Sequence, residues 1–273
     1  MRAKELVPRP LRPLARAAYF SVYRAGIRAR CWYLDCAQAK ASAGGFAAPP
    51  ALLRFRVGGT TDLADYAAVG EKTVSHLTGA LEGIGRSFDQ FDGILDFGCG
   101  CGRTLIWLAD RFPDKHFFGM DVDGPSIRWA QRSLPFASFH LNGALPPTPF
   151  ANESFDLIYG ISVFTHLDEG PQREWLKELY RILKPGGLLM LSLHGEASWK
   201  ELPEEDVTHL RRHGFLFKRS SKLRGIVPEW YHTAFHSREY ATKMISEKFG
   251  VLAYLDQGLG YQDLVIVERA SNG

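Results

Sequence analysis

Residues 94–104, Ile94-Leu95-Asp96-Phe97-Gly98-Cys99-Gly100-Cys101-Gly102-Arg103-Thr104, decide how the chain folds. The apolar run Gly93 to Phe97 has the length of a buried strand, and Thr104 to Phe112 carries apolar residues at helical spacing. Between them Gly98, Gly100 and Gly102 turn the chain. The unit is therefore strand, glycine turn, helix. Such a turn lets a ligand approach backbone N–H groups at a helix N-terminus, because no Cβ stands in the way. The same glycines would also serve a tight turn for purely steric reasons, so the loop alone does not identify a ligand.

Working outward, the same alternation repeats. His116 to Asp121 reads as a second strand, and Pro125 to Leu134 as a helix with proline in its first turn. A third strand is expected near Phe139 to Leu141 and a fourth at Phe155 to Tyr159. Pro171 to Leu183 is a strongly amphipathic helix stopped by Pro185-Gly186-Gly187, and Leu188 to Leu193 re-enters the sheet. One or two helices are expected from Thr60 to about Gly83. Ser237 to Phe249 reads as a helix, with Val251 to Leu255 and Leu264 to Glu268 as a closing antiparallel pair. Strands alternating with helices require crossover connections, which predicts a doubly wound α/β fold on a mainly parallel sheet.

The 273 residues, 45% hydrophobic and 23% charged, suit a globular domain with a large core. Residues 1–50 read as a basic helical N-terminal segment and hinge, the hinge being Ala41-Ser42-Ala43-Gly44-Gly45-Phe46-Ala47-Ala48-Pro49-Pro50. Residues 51–273 form the main domain. Within it, about residues 195–236 are too long for a plain connection and are expected to be a lid or substrate-binding insertion. The formal net charge of +3 gives little reason to expect nucleic acid or an anionic membrane as a partner of the whole protein. The first forty residues nevertheless hold nine Lys or Arg against Glu5 and Asp35, a concentration of charge consistent with peripheral membrane contact. Arginines interrupt any apolar signal core, and no membrane-spanning run is present, so the expected location is cytoplasmic. Cys31, Cys36, Cys99 and Cys101 lack C-x₂-C spacing, and no metal is expected through them.

The second strand ends in Asp121, where a carboxylate can accept hydrogen bonds from both hydroxyls of an adenosine ribose. Asp121, or Asp123 in its place, could equally cap the next helix. A dinucleotide is disfavoured: its fingerprint requires Gly or Ala where Arg103 stands. Asp96, two residues before the first glycine, would repel a pyrophosphate but could hold an ammonium group.

The stretches ILDFGCGCGRT, FFGMDVDG, SFDLIYGISVFTHL and LKELYRILKPGGLLML, in this order, resemble the successive motifs of class I S-adenosylmethionine-dependent methyltransferases of the bacterial small-molecule type. The resemblance spans roughly residues 90–195. It implies a Rossmann-like, seven-stranded sheet with an antiparallel edge strand, preceded here by N-terminal helices, and S-adenosylmethionine as cofactor. By the same resemblance Asp96 and the backbone of Gly98 and Gly100 would hold the methionyl part and Asp121 the ribose, with Arg103 a further cofactor-binding residue. Val122 would flank the adenine, with Asn142 and Gly143 near its edge. Where the family often has Asp, this chain has Asn142, which can still accept through its side-chain oxygen. Tyr159, at the end of the fourth strand, is expected to line the pocket through its ring.

Methyl transfer requires alignment, exclusion of water and removal of a proton where one must leave. His166, just beyond the fourth strand, is a candidate base; it could instead pack or cap the next helix. Glu229, Trp230, Tyr231, His232 and His236 form a second polar and aromatic cluster, with Glu229 and His232 as further catalytic candidates, or ordinary loop packing as the alternative. Arg211, Arg212, Lys218, Arg219, Lys222 and Arg224 form a basic run whose default is a solvated face; turned to the cleft, it would favour an anionic acceptor. The leading expectation is methyl transfer to a small molecule, a sugar or an acidic metabolite among the options. The alternatives are a non-catalytic S-adenosylmethionine-binding protein acting through partners, or an RNA methyltransferase. Methylation of DNA bases is disfavoured because Tyr159-Gly160-Ile161-Ser162 lacks the Asp/Asn-Pro-Pro-aromatic motif.

Overall fold

The computed structural model describes residues 11–37, 42–43, 45–219, 226–227 and 231–271. Helix α1 (Arg12–Ala37) is followed by two-residue strands β1 (Ser42–Ala43) and β2 (Phe46–Ala47), then α2 (Ala51–Gly58) and α3 (Leu63–Glu82). Next come β3 (Gly93–Phe97), α4 (Arg103–Arg111), β4 (His116–Asp121), α5 (Gly124–Ser133), β5 (Ala137–Leu141) and β6 (Phe155–Gly160). The remainder comprises α6 (Glu169–Ile182), β7 (Leu183–Leu193), α7 (Glu204–His213), β8 (Phe215–Lys218), β9 (Thr233–His236), α8 (Arg238–Ser246), β10 (Gly250–Leu255) and β11 (Asp263–Glu268).

Seven strands form one sheet in the order β10-β11-β7-β6-β3-β4-β5. The pairs from β7 through β5 are parallel, whereas β11 runs antiparallel to both β7 and β10. This is the expected doubly wound, mainly parallel sheet with an antiparallel edge. Each strand residue alternates between faces, as the twofold period of a strand dictates. Ile94, Leu157, Leu188 and Leu264 pack with α3, α4 and α5 on one face; Leu95, Ile158, Leu189 and Val265 pack with α6 and α8 on the other. The central strands are consequently buried on both sides, which is why they read as apolar runs instead of alternating patterns.

Strand β7 begins at Leu183, earlier than Leu188. Pro185-Gly186-Gly187 lies inside the strand instead of before it, because the backbone passes from α6 directly into pairing with β6 at Phe155. The expected insertion holds α7 and the β8–β9 hairpin, in which Phe215 pairs with His236. Polar contacts made by Asp35 and Arg54 tie the N-terminal elements to the domain. Asp35 accepts a hydrogen bond from the Ala51 amide at the start of α2, at 2.7 Å. Arg54, almost fully buried, donates to the carbonyls of Pro49 and Thr61.

Candidate functional site

The glycine loop connects β3 to α4 at the carboxyl end of the parallel strands, where open α/β sheets place their ligands. Gly98 and Gly100 have φ of +81° and +54°. A Cβ on Gly98 would lie 2.2 Å from Val163 Cγ2, and one on Gly100 2.6 Å from Val57 Cγ2, so neither position admits a side chain. The amides of Gly98 and Cys99 donate to the Met120 carbonyl, and the Gly100 amide donates to Asp121 Oδ2 at 2.8 Å. Asp121 Oδ1 accepts from the Asp123 amide at 2.7 Å. Asp121 thereby joins the loop after β3 to the turn after β4.

These residues open onto a cavity of about 510 Å³. Asp96 sits at its floor, and burial pushes its carboxyl up to about 8; the neighbouring Asp121 adds to the rise, while the Tyr159 hydroxyl and Arg103 oppose it. Asp121 is also raised, first by burial, against the amides of Asp123 and Gly100 that hold it down. Arg103 lies over the Tyr66 ring, 5.8 Å from its centroid; its buried Nε has no hydrogen-bond partner, and no acid pairs with it among the described residues. Asp123, the residue before α5, is occupied by Arg56 at 2.6 Å and by the Ser126 hydroxyl. Asn142 turns its amide nitrogen to the Gly143 carbonyl at 2.7 Å, leaving Oδ1 buried without a donor.

This arrangement fits S-adenosylmethionine at three points. A carboxyl and a guanidinium, Asp96 and Arg103, stand together as partners for an amino-acid zwitterion. The loop at Gly98 and Gly100, packed against Val163 and Val57, borders the cavity with backbone alone. The orphaned Asn142 Oδ1 is an acceptor waiting for a donor such as an adenine amino group.

Beyond the loop the same cavity is lined by Ser162, His166, His194, Tyr231, Tyr261 and Gln262. His166 Nδ1 lies 2.5 Å from the His232 carbonyl oxygen, and its ring packs on Tyr231 with centroids 4.1 Å apart. A carbonyl can only accept, so Nδ1 carries the hydrogen and Nε2 keeps the lone pair of the neutral ring. Burial lowers the His166 pKa, the His232 carbonyl partly opposing it, and the ring is neutral near pH 7. A hydrogen-bond chain lies alongside: Ser162 donates to Gln262 Oε1 at 3.1 Å, Gln262 Nε2 meets His194 Nε2 at 3.3 Å, and His194 Nδ1 meets the Ala234 carbonyl at 3.2 Å. Each tautomer and amide orientation in this chain follows from the carbonyl at its end.

Of the residues singled out in the sequence, Asp96, Gly98, Gly100, Arg103, Asp121, Val122, Asn142, Gly143 and His166 all line the cavity. Tyr159 does not. It is fully buried beneath the loop among the residues facing α3 and α4, because its strand position points to the sheet face and not past the strand end. His232 contributes its carbonyl to His166 and packs its ring on Phe217, outside the cavity lining. His236 is likewise buried away from the cavity, its Nε2 against Gln172 Oε1 at 3.0 Å. Glu229, Trp230, Lys222 and Arg224 lie outside the described residues. Arg211, Arg212, Lys218 and Arg219 do not line the cavity; Arg211 and Arg212 end α7, where cations complement the helix dipole, and Lys218 pairs with Asp206. Ser162, His194, Tyr261 and Gln262 also line the cavity, and none was among the site residues expected from the sequence. Only Gln262, a polar residue directly before a buried apolar strand, left any signal.

Residues 94–187 match the profile of the methyltransferase domain family. A trans-aconitate 2-methyltransferase from Methylobacterium radiotolerans is 33% identical over 99 residues, 36% of this chain and 36% of that protein. A 2-methyl-6-phytyl-1,4-hydroquinone methyltransferase from Synechocystis is 26% identical over 149 residues, 54% of this chain and 42% of that protein. The chain spans about two fifths of the length of the curated relatives it matches. A crystal structure of an S-adenosylmethionine-dependent methyltransferase from Methanosarcina mazei superimposes with a TM-score of 0.52 at 22% identity, covering 66% of this chain and 93% of that one, a likeness of fold. Residues 94–187 thus match the methyltransferase domain family, and the ordered motifs, the glycine cradle and the seven-stranded sheet around them have the form of class I S-adenosylmethionine-dependent methyltransferases.

Proposed function

We propose that the protein transfers the methyl group of S-adenosylmethionine to a hydroxyl-bearing small molecule, with His166 as the base. The observation that carries this reading is the single cavity that joins the cofactor cradle to a neutral, orientation-locked imidazole. The bound cofactor supplies an electrophilic methyl on a sulfonium. Asp96 and Arg103 take its ammonium and carboxylate, Asp121 its ribose hydroxyls, and Asn142 Oδ1 its adenine amino group. Val122 flanks the adenine ring.

An alcohol is a poor nucleophile until its proton leaves, and His166 Nε2 is the unoccupied base at the acceptor end. The His232 carbonyl holds Nδ1–H, so the imidazolium that forms keeps a partner for its positive charge. Tyr231 under the imidazole and Gln262 beside it limit how an acceptor can enter, which aligns its oxygen for in-line displacement. The relatives support a small-molecule acceptor. One of them is named for trans-aconitate, a carboxylic acid without a hydroxyl, and another for a hydroquinone, so the choice of a hydroxyl rests on His166 and not on them.

Two measurements test the reading. Calorimetric titration with S-adenosylmethionine and S-adenosylhomocysteine should give saturable binding, and methyl-labelled cofactor should pass label to members of a panel of sugars, hydroxy acids and phenols. Absence of binding would refute the cofactor site. Binding without transfer to any hydroxyl, combined with transfer to amines or carboxylates, would refute the role of His166.

A further inference from the structure

Helix α1 carries two apolar faces, and only one of them is packed. Phe20, Ile27, Cys31 and Leu34 form the packed side, with Cys31 fully buried. On the opposite side Leu11, Leu14, Ala15, Ala18, Val22, Ala25, Ala29, Trp32 and Tyr33 recur every three or four residues, and every one of them is exposed. Leu14, Val22 and Trp32 expose 68%, 74% and 71% of their surface. A chain does not place a continuous apolar stripe in water over six turns without something to cover it.

The charges say what covers it. At 100° per residue, Arg12 and Arg30 fall on one flank of the stripe and Arg24 and Arg28 on the other. The sole acid of α1 is Asp35, already held by the Ala51 amide. The stripe ends in Trp32 and Tyr33, side chains that favour the boundary between hydrocarbon and water. The ten residues before α1 add Arg2, Lys4 and Arg9 against Glu5. A second copy of this helix would set arginine flank against arginine flank with no acid to separate them. An anionic lipid surface instead accepts the apolar stripe among its acyl chains and the arginines among its phosphates.

We propose that α1 is an interfacial helix that docks the protein, lying in the plane of the membrane, on anionic lipid bilayers. No helix among the described residues is long and apolar enough to cross a membrane, so the helix lies on the surface. Docking is linked to the cofactor cavity through the next element. Asp35 anchors the N-terminus of α2, and Arg56, Val57 and Gly58 of α2 line the cavity. The proposal stands independently of the proposed reaction.

The test is flotation of the full chain with vesicles of phosphatidylcholine alone or mixed in equal parts with phosphatidylglycerol. The expected result is co-flotation with the mixed vesicles, weakening as salt rises, and at least tenfold less with phosphatidylcholine alone. Val22→Glu combined with Trp32→Glu should cut partitioning at least tenfold while leaving the melting temperature and S-adenosylhomocysteine affinity unchanged, because both side chains are solvent-facing. Asp121→Ala, defective in cofactor binding, should float like the wild type. Equal flotation of the double variant and the wild type would overturn the proposal. A dimer by light scattering that fails to float, and that Val22→Glu converts to monomer, would overturn it in favour of a second copy as the occupant.

Discussion

The two ends of the cavity are built by different means. At the cofactor end, backbone and near neighbours do the positioning: the Gly98, Cys99 and Gly100 amides, the Met120 carbonyl and Asp121 belong to two consecutive strand-to-helix turns. At the proposed acceptor end, side chains converge from distant parts of the chain. His166 is fixed by residue 232, and Ser162, His194, Ala234 and Gln262 share one hydrogen-bond chain across a hundred residues of sequence. The first kind of site survives divergence of the surrounding sequence because backbone amides do not mutate. The second changes with each side chain, so it can diverge while the first is kept.

That contrast can be broken by experiment, and the largest effect should fall on chemistry at the acceptor end. His166→Ala should slow single-turnover methyl transfer by about 10² to 10⁴, the usual range for losing a positioned base, while S-adenosylhomocysteine affinity stays within a factor of about two. A parallel loss of cofactor affinity would mean that the two ends are not separable. Asp121→Ala should weaken cofactor binding by about 1.5 to 3 kcal/mol, the range for hydrogen bonds to a charged group, when followed by calorimetry.

Titration sharpens the same comparison. With its carboxyl near 8 in the free protein, Asp96 is protonated at neutral pH, and an arriving ammonium group favours the ionised form. Cofactor binding should therefore release a proton below pH 8, and affinity should climb as pH rises from 6 toward 8. Calorimetry in buffers of different ionisation heat measures both, and Asp96→Asn should abolish the release. Because this pKa is raised on folding, Asp96 supports the fold at acid pH and opposes it increasingly as pH passes from the ordinary carboxylate range through 8. Asp96→Asn should accordingly raise the melting temperature at pH 8.

The histidines work in the other direction. Burial lowers the pKa of His166, His194 and His236, the last to about 3. Their contribution to stability is present above the ordinary histidine pKa and is lost as pH falls below it. The β8–β9 hairpin, which packs through His236, should lose hydrogen-exchange protection before the central sheet does. The smallest effect is expected for Gln262→Ala, which removes the middle of the Ser162–His194 chain; KM for the acceptor should rise severalfold with S-adenosylhomocysteine affinity unchanged.

Much of the fold was legible in the sequence for a simple reason: strand and helix periods, glycine turns and proline stops are local properties of the chain. Gly93–Phe97 and His116–Asp121 coincide with their expected boundaries, and the cofactor half of the cavity follows from what stands at the ends of those two strands. Tyr159 shows the limit of that reasoning. Its place at a strand end suggested the pocket, yet the side on which a strand residue emerges depends on register and on what the neighbouring loop covers. His232 shows it again, since the group that matters there is a backbone carbonyl, which every residue carries and no sequence pattern marks. The α/β alternation, the glycine cradle and the acids on either side of it are each encoded within a few neighbouring residues, so the chain alone carries them. The tautomer of His166, the Ser162–Gln262–His194 chain and the bare face of α1 depend on contacts between residues far apart in sequence, which exist only once the chain has folded.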